Sequence, residues 1–356
     1  MSLRKGLILF ILFAFAGNAY ILGRSVDNIT VQSILSADKR YFLAALGLTL
    51  STWLCDGGRF YALVRAAHEN ISFRWGLVLT WLHYFGCAVT PMQSGGGPFQ
   101  VYILYKKGIP VGKGIAITLV RTMLTVLILT LFVPVALMVD PGILRNKFLR
   151  GVIAYVFFVI MCTWLFIGYT LARPNSVKRW AKIVLMWMEK WRFLRKSKLK
   201  GAFQWLNREM SNYSLNFKLT FSSGAFYLVT AAVLSVMHLL CMFSILPALM
   251  LSVDLPFNYT QTLAIQSIFM FALYFIPTPG ASGVAEGGGA FLFSTIMPEN
   301  MAGIMAFTWR FFTEYISLFM GVIVVVRLLG WGITENLHKG AAKEEKAVRQ
   351  QSKQVP

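Results

Sequence analysis

The sequence predicts an all-α polytopic membrane protein, folded as an inverted-repeat helical bundle with two opposed re-entrant hairpins. Three observations lead to this class. The 356 residues are 57% apolar and 13% charged, with a mean hydropathy of +0.62, which is typical of proteins with several membrane spans. Apolar windows of spanning length recur along the chain. Two shorter windows run directly into stretches rich in proline and glycine, where a helix cannot continue.

The predicted spans lie at about 6–23, 41–57, 114–139, 151–171, 219–250 and 302–328. The first begins after basic residues like a signal peptide, but its apolar run is long and no small-residue cleavage site follows, so we interpret it as a retained span. The shorter windows, at about 76–92 and 262–277, would reach only about 22 to 25 Å at about 1.5 Å per residue, less than a hydrocarbon core of about 30 Å. We therefore expect each to stop within the membrane and turn back.

The sequence predicts one transmembrane domain, residues 1–338, with two halves that contain one break each. The first half, 1–171, contains the break 90–107 (TPMQSGGGPFQVYILYKK). The second half, 219–338, contains the break 275–298 (FIPTPGASGVAEGGGAFLFSTIMP). Between the halves lies a basic amphipathic segment, 172–218, and after them a charged tail, 339–356, which we expect to be disordered and cytoplasmic.

Charge distribution predicts the topology. With both termini in the cytoplasm, 26 of the 34 Lys and Arg residues fall on the cytoplasmic side, 6 fall outside, and Arg121 and Arg310 fall within spans. This bias requires the first break to return to the cytoplasm and the second to return to the outer face. Opposed breaks at matching positions indicate an inverted repeat with a site at the midplane. Arg121 follows Pro91 by 30 residues and Arg310 follows Pro279 by 31, which agrees with a repeat.

The candidate translocation site is a small charged set in otherwise apolar sequence: Glu286, Arg310, Glu314 and Arg121. Buried charges are expensive alone, so mutual pairing is expected whatever the function. Arg310 and Glu314 could simply brace one helix at i, i+4 spacing. Alternatively, Arg310 or Arg121 holds a lipid phosphate while Glu286 takes up a proton or releases the headgroup. Pro279, Gly280 and Gly283 break the helix beside Glu286.

The first break carries no carboxylate. Gln93 and Gln100 offer neutral hydrogen bonds, and Gly95, Gly96 and Gly97 allow close backbone approach. These residues are explained equally well by a packing turn and by contact with a substrate. Asp56 with Arg59 is interpreted as a local ion pair where the second span ends near the cytoplasm. The isolated His83 and His238 are interpreted as core residues.

The segment between the halves repeats large apolar residues at helical spacing among cations. Its lipid-facing candidates are Lys178, Arg179, Lys182, Trp187, Trp191 and Arg192. This pattern predicts an interfacial helix on the anionic cytoplasmic leaflet, acting as an anchor or, alternatively, in lipid headgroup capture. The net charge of +20 is explained by such contacts rather than by nucleic acid.

No enzyme signature emerges. The sequence has no nucleophile elbow, Walker loop or HExxH, and the four cysteines stand singly without CxxC spacing. We therefore expect no metal, no cofactor and no catalytic residue.

At its breaks the chain resembles the flippase-like transmembrane domain of lysylphosphatidylglycerol synthases, the multiple peptide resistance proteins, and of related stand-alone membrane proteins of bacteria and archaea. Residues of the two breaks and the arginine that follows each carry the resemblance. In the second half these are Pro277–Gly280, Gly283–Glu286 and Arg310; in the first half, more weakly, they are Pro91, Gly95–Gly97, Lys107–Ile109 and Arg121. It covers roughly residues 5 to 335. The chain departs from many members, which carry an acidic residue after the first-half glycines, where this chain reads Gly97-Pro98-Phe99-Gln100.

The resemblance implies an inner-membrane flippase for an anionic phospholipid or a polyprenyl-linked lipid. It does not imply aminoacylation of lipid, because the soluble transferase domain of the synthases has no counterpart in this sequence. A separate lipid-synthesising enzyme and a second copy of the chain stay open as partners. An intramembrane lipid-modifying enzyme or its subunit, and a non-transporting scaffold, are the alternative functions.

Overall fold

The computed structural model describes residues 35–139 and 224–329, with isolated positions at 12, 32 and between 150 and 165. Within these ranges every regular element is helical, as predicted. Four predicted segments lie largely or wholly outside the described residues: most of the spans at 6–23 and 151–171, the basic segment 172–218 with its six lipid-facing candidates, and the tail 339–356.

Two sets of helices follow one another in the same order of lengths. The first set is α1 (Lys39–Ala66), α2 (Phe73–Val89), α3 (Gly96–Lys106) and α4 (Val111–Val139). The second set is α5 (Ala225–Ser252), α6 (Tyr259–Leu273), α7 (Val284–Phe293), α8 (Glu299–Arg310) and α9 (Ile316–Leu329), the last two joined by a π-helical turn, Phe311–Tyr315. α1 and α5 have 28 residues each, α2 and α6 have 17 and 15, and α3 and α7 have 11 and 10.

Three of the described segments are long and apolar enough to cross a membrane: Val111–Phe132, Ala225–Ser252 and Glu299–Leu328, of 22, 28 and 30 residues. They coincide with three predicted spans, so the membrane class is confirmed. α1 matches α5 in length but carries charged residues in its second half, which lowers its mean hydropathy.

The short helices stop where the sequence stops them. α2 ends at Val89, immediately before Thr90 and Pro91, because the residue before a proline is pushed out of the helical region. α6 ends at Leu273, ahead of the two prolines of the second break. α6 also has a defined start, where the Asn258 side chain accepts hydrogen bonds from the backbone of the first turn.

Glycines bring the helix backbones close together around α2. A Cβ atom on Gly76 of α2 would collide with the carbonyl oxygen of Gly57 on α1. A Cβ atom on Gly321 of α9 would lie 2.5 Å from the carbonyl oxygen of Trp81. Because only hydrogen fits at both contacts, α2 lies tightly between α1 and α9.

The two breaks contact each other through their backbones. Pro91 and Pro279 form an isolated antiparallel bridge. The Met92 N–H donates to the Ile276 carbonyl, and the Gly280 N–H donates to the Cys87 carbonyl, each over 3.2 Å. These bonds satisfy backbone groups that the interrupted helices leave open, which apolar surroundings require.

Candidate functional site

A narrow cavity of about 60 Å³ lies beside the meeting point of the breaks. Three arginines line it, Arg59 from α1, Arg121 from α4 and Arg310 from the end of α8, together with Glu314 from the π-helical turn. All three arginines are buried. Such a concentration of charge inside an apolar bundle marks this cavity as the candidate site.

The first charged group forms around Asp56. Its carboxylate, which is fully buried, accepts two hydrogen bonds from Arg121, Nη2 to Oδ2 over 2.8 Å and Nε to Oδ1 over 3.2 Å. Arg59, one turn further along α1, binds the same carboxylate and also donates to the Thr125 hydroxyl over 2.9 Å and the Ser235 hydroxyl over 3.3 Å. One carboxylate thus neutralises part of two buried cations.

This arrangement corrects the sequence interpretation of Asp56 and Arg59. Their ion pair exists, but α1 continues to Ala66, so the pair lies in the interior rather than at a cytoplasmic helix end. Arg59 therefore does not count among the cytoplasmic cations. The sequence did contain a sign of this burial, because Asp56 and Arg59 are opposite charges three residues apart at the edge of an apolar window. A helix that continues two turns beyond that window buries both side chains.

The second charged group forms around Glu286 on α7. One carboxylate oxygen accepts the backbone N–H of Gly283 over 2.6 Å, which caps the start of α7. The other oxygen accepts the Tyr315 hydroxyl over 2.8 Å and lies 3.0 Å from Arg310 Nε. Glu286 therefore ties the second break to α8 and to the π-helical turn.

Arg310 links this group to the cavity. Its Nη2 atom lies 2.9 Å from Glu314 and donates to the Gly280 carbonyl over 2.7 Å. The i, i+4 pair with Glu314 that the sequence suggested is present, but it is one of several contacts. The π-helical turn follows Arg310 directly, and turns of this kind occur often at functional sites.

Two of the three carboxylates stand behind the arginines, and only Glu314 reaches the cavity wall. Asp56 and Glu286 do not line the cavity, whereas Arg59, Arg121 and Arg310 do. The two groups contain three arginines and three carboxylates, so they are neutral together, yet the cavity wall is dominated by cations. Such a wall favours an anion over a cation.

Two buried donors at the cavity lack an acceptor within the described part of the chain. Arg59 Nε and Trp309 Nε1 make no hydrogen bond there, although their residues are only 1% and 2% exposed. Both residues line the cavity. An unsatisfied buried donor is destabilising, so water or a ligand oxygen is expected beside it.

The first break supplies close contacts and neutral groups. Gly95 and Gly96 are required by packing, because a Cβ atom would meet the Gly86 carbonyl at one and the His83 ring at the other, while Gly97 faces open space. Gln93 lines the cavity. Gln100 does not; it is buried and donates to the Leu79 carbonyl over 3.1 Å.

The second break supplies the unusual backbone. Gly280 and Gly283 have φ angles of +57° and +85°, which glycine adopts without strain. Pro279 contacts Pro91. The two histidines, His83 and His238, also line the cavity, a location that their isolation in apolar sequence did not reveal.

A larger groove of about 830 Å³ adjoins the cavity beside the first break, between α3, α4 and the end of α6. Five of the described residues line both spaces: His83, Gln93, Arg121, Thr125 and Tyr274. In the part of the chain that the structure describes, no three His, Cys, Asp or Glu side chains converge as a metal site would require.

Spanning helices, two interrupted helices and a buried charged cavity define a polytopic membrane protein with an internal polar site. Residues 5–321 match the family described as the lysylphosphatidylglycerol synthase TM region, and the chain belongs to this family. A UPF0104 membrane protein of Archaeoglobus fulgidus is 28% identical over 318 residues, covering 88% of this chain and 94% of that protein. Membership links the chain to the handling of membrane lipids.

Proposed function

We propose that the protein moves an anionic phospholipid or an isoprenoid-linked lipid between membrane leaflets, with the headgroup crossing the central cavity. The observation that carries this proposal is the cavity wall with its three arginines and with the unsatisfied donors of Arg59 and Trp309. A lipid phosphate offers several charged acceptor oxygens, which suit guanidinium groups in a low-dielectric site.

The proposal includes an inverted repeat with two re-entrant hairpins. Its support is the repeated order of helix lengths and the contact between the breaks, because such breaks at membrane depth usually surround a transport site. Contacts at one end of the bundle also support a hairpin in the first half. The Lys107 ammonium lies 3.5 Å from the Trp75 ring centre, and Lys113 lies 2.5 Å from Glu69, so the start of α2 and the end of α3 are neighbours.

The orientation belongs to the same proposal. We place the protein in the cytoplasmic membrane with both termini in the cytoplasm, because the lysines around the end of α3 would then face that side. In this arrangement Glu286 and Arg310 hold the second hairpin at the midplane. A substrate phosphate would compete with Glu286 and Glu314 for Arg310. Once Arg310 binds the phosphate, the second hairpin is released, and its movement would expose the cavity to one leaflet and then to the other.

The test is leaflet-resolved transport of fluorescent anionic and isoprenoid-linked lipids in liposomes containing purified protein. Glu286→Gln and Arg310→Ala should abolish most transport. Glu299→Gln and Arg327→Ala make the same chemical changes at exposed positions and should transport normally. Arg310→Lys keeps the charge but loses the fork geometry, so it separates phosphate recognition from simple neutralisation. Normal transport by folded Glu286→Gln and Arg310→Ala would reject the mechanism.

A further inference from the structure

The groove beside the first break has one polar end and a long apolar body. Its walls include Val101 from α3, Ile115 and Leu119 from α4, and Phe271 and Phe275 near the end of α6. Its volume of about 830 Å³ falls within the range of pockets that hold small molecules. Two of its lining residues, Leu119 on α4 and Tyr105 on α3, are 38% and 59% exposed, so the groove reaches the protein surface there.

The charged lining of the groove is positive. Among the described residues that line the groove, Arg121 is the single one with a charged Lys, Arg, Asp or Glu side chain. The same arginine lines the central cavity, with Asp56 behind it. A molecule lying in the groove therefore meets a cation at the point where groove and cavity join.

The second break differs in charge at the corresponding place. Glu286 occupies the start of α7, where its carboxylate already accepts the Gly283 N–H and contacts Arg310. A fixed carboxylate disfavours an approaching phosphate. The first break presents the neutral side chains of Gln93 and Ser94 to the groove instead, so the approach of an anion is easier on this side.

We propose that this groove holds the hydrocarbon chain of a phosphate-bearing lipid while the phosphate sits at Arg121, so that substrate enters the cavity laterally beside the first hairpin. This inference rests on the proposed lipid transport and adds the route and the chain-binding site. The occupant is a lipid rather than a protein segment, because an apolar body ending at one buried cation matches an amphiphile with a single anionic head. Unlike lipid on the rest of the surface, this molecule should be selected by its headgroup.

The experiment uses the full-length protein in phosphatidylcholine vesicles containing phosphatidylglycerol with a diazirine near the end of its acyl chain. After irradiation, modified peptides should map to the groove walls of α3 and α4. Unlabelled phosphatidylglycerol should compete, whereas added phosphatidylcholine and inorganic phosphate should not. Equal competition by phosphatidylcholine would reduce the groove to ordinary lipid solvation and overturn the proposal, and competition by inorganic phosphate alone would assign the site to the free ion.

A blocking variant tests the groove with the same lipid probe and a changed wall. Ile115→Trp fills the groove and should weaken competitive capture by about tenfold, the effect of about 1.4 kcal/mol of lost binding. Leu131→Trp adds the same ring on the same helix at a position that is 58% exposed and outside the groove, and should leave capture unchanged. Equal capture by the two variants would contradict the inference.

The two proposals fail in different ways. If labelling is selective for phosphatidylglycerol and sensitive to Ile115→Trp but wild type moves no lipid, the groove stands and transport falls. If wild type and Ile115→Trp move lipid equally well and the groove stays unlabelled, transport stands and the lateral route falls.

Discussion

Asp56→Asn tests the buried charge network most directly. The substitution keeps the size of the side chain and removes the negative charge shared by Arg59 and Arg121. Arg59 keeps its bonds to Thr125 and Ser235, whereas both hydrogen bonds recorded for Arg121 end on Asp56. Removing one partner of a buried ion pair destabilises a protein by about 3–5 kcal/mol, and we expect a loss of this size.

A double-mutant cycle separates the pair from general damage. If the loss arises from an uncompensated Arg121 charge, adding Arg121→Gln to Asp56→Asn should destabilise far less than the sum of the single changes, with a coupling energy of about 0.5–3 kcal/mol. Asp254→Asn is the matched control: the same amide replaces a carboxylate at an exposed position, so its effect should stay within about 0.5 kcal/mol.

The measurement is reversible unfolding of purified protein in mixed micelles with increasing sodium dodecyl sulfate, followed by tryptophan fluorescence. Two results would refute the reasoning. Asp56→Asn could match Asp254→Asn in stability, or the effects of Asp56→Asn and Arg121→Gln could be strictly additive. Either would mean that the carboxylate does not hold the arginine in the folded protein.

Three further substitutions probe packing and the second charged group. Gly76→Ala forces a methyl group against the Gly57 carbonyl and should destabilise the protein by about 1–3 kcal/mol. Gly97→Ala places its methyl group in open space on a helix and should stabilise the protein by about 0.5–1 kcal/mol. The unfolding curves of the two variants should therefore shift in opposite directions. Tyr315→Phe removes the hydroxyl that donates to Glu286 and should destabilise by about 1.5–3 kcal/mol, the contribution of a hydrogen bond to a charged group. If Tyr315→Phe leaves the unfolding midpoint unchanged, the Tyr315–Glu286 hydrogen bond does not stabilise the folded protein.

The two arginines that follow the breaks are neutralised by different means. Arg310 pairs with Glu286 in the second break itself, whereas Arg121 pairs with Asp56 on the long helix α1. The first break has no acid, and α1 supplies the missing carboxylate. As a result the second break is tied to its arginine by charge, while the first is held by backbone and amide contacts such as that of Gln100. A symmetric mechanism with one acid in each hairpin therefore does not fit this chain.

Local sequence was sufficient for the membrane class, three of the spans and the interruption of α2 and α6, because apolar length, proline and glycine act within a few residues of where they stand. Membership of the lipid-related family was also readable from the second break, whose Gly-x-x-Glu pattern is compact. The pairing of Arg310 with Glu314 followed from helical spacing alone.

Only the tertiary structure showed which charges meet. Asp56 and Arg121 are 65 residues apart in sequence, and Pro91 meets Pro279 across the two halves of the chain. Packing determines these pairs, because a buried charge is stable only beside an opposite charge, and the packing of the helices sets which opposite charge lies near it. For the same reason the carboxylates behind the arginines, and the groove that joins the cavity at Arg121, emerged from the fold and could not be inferred from the order of the residues.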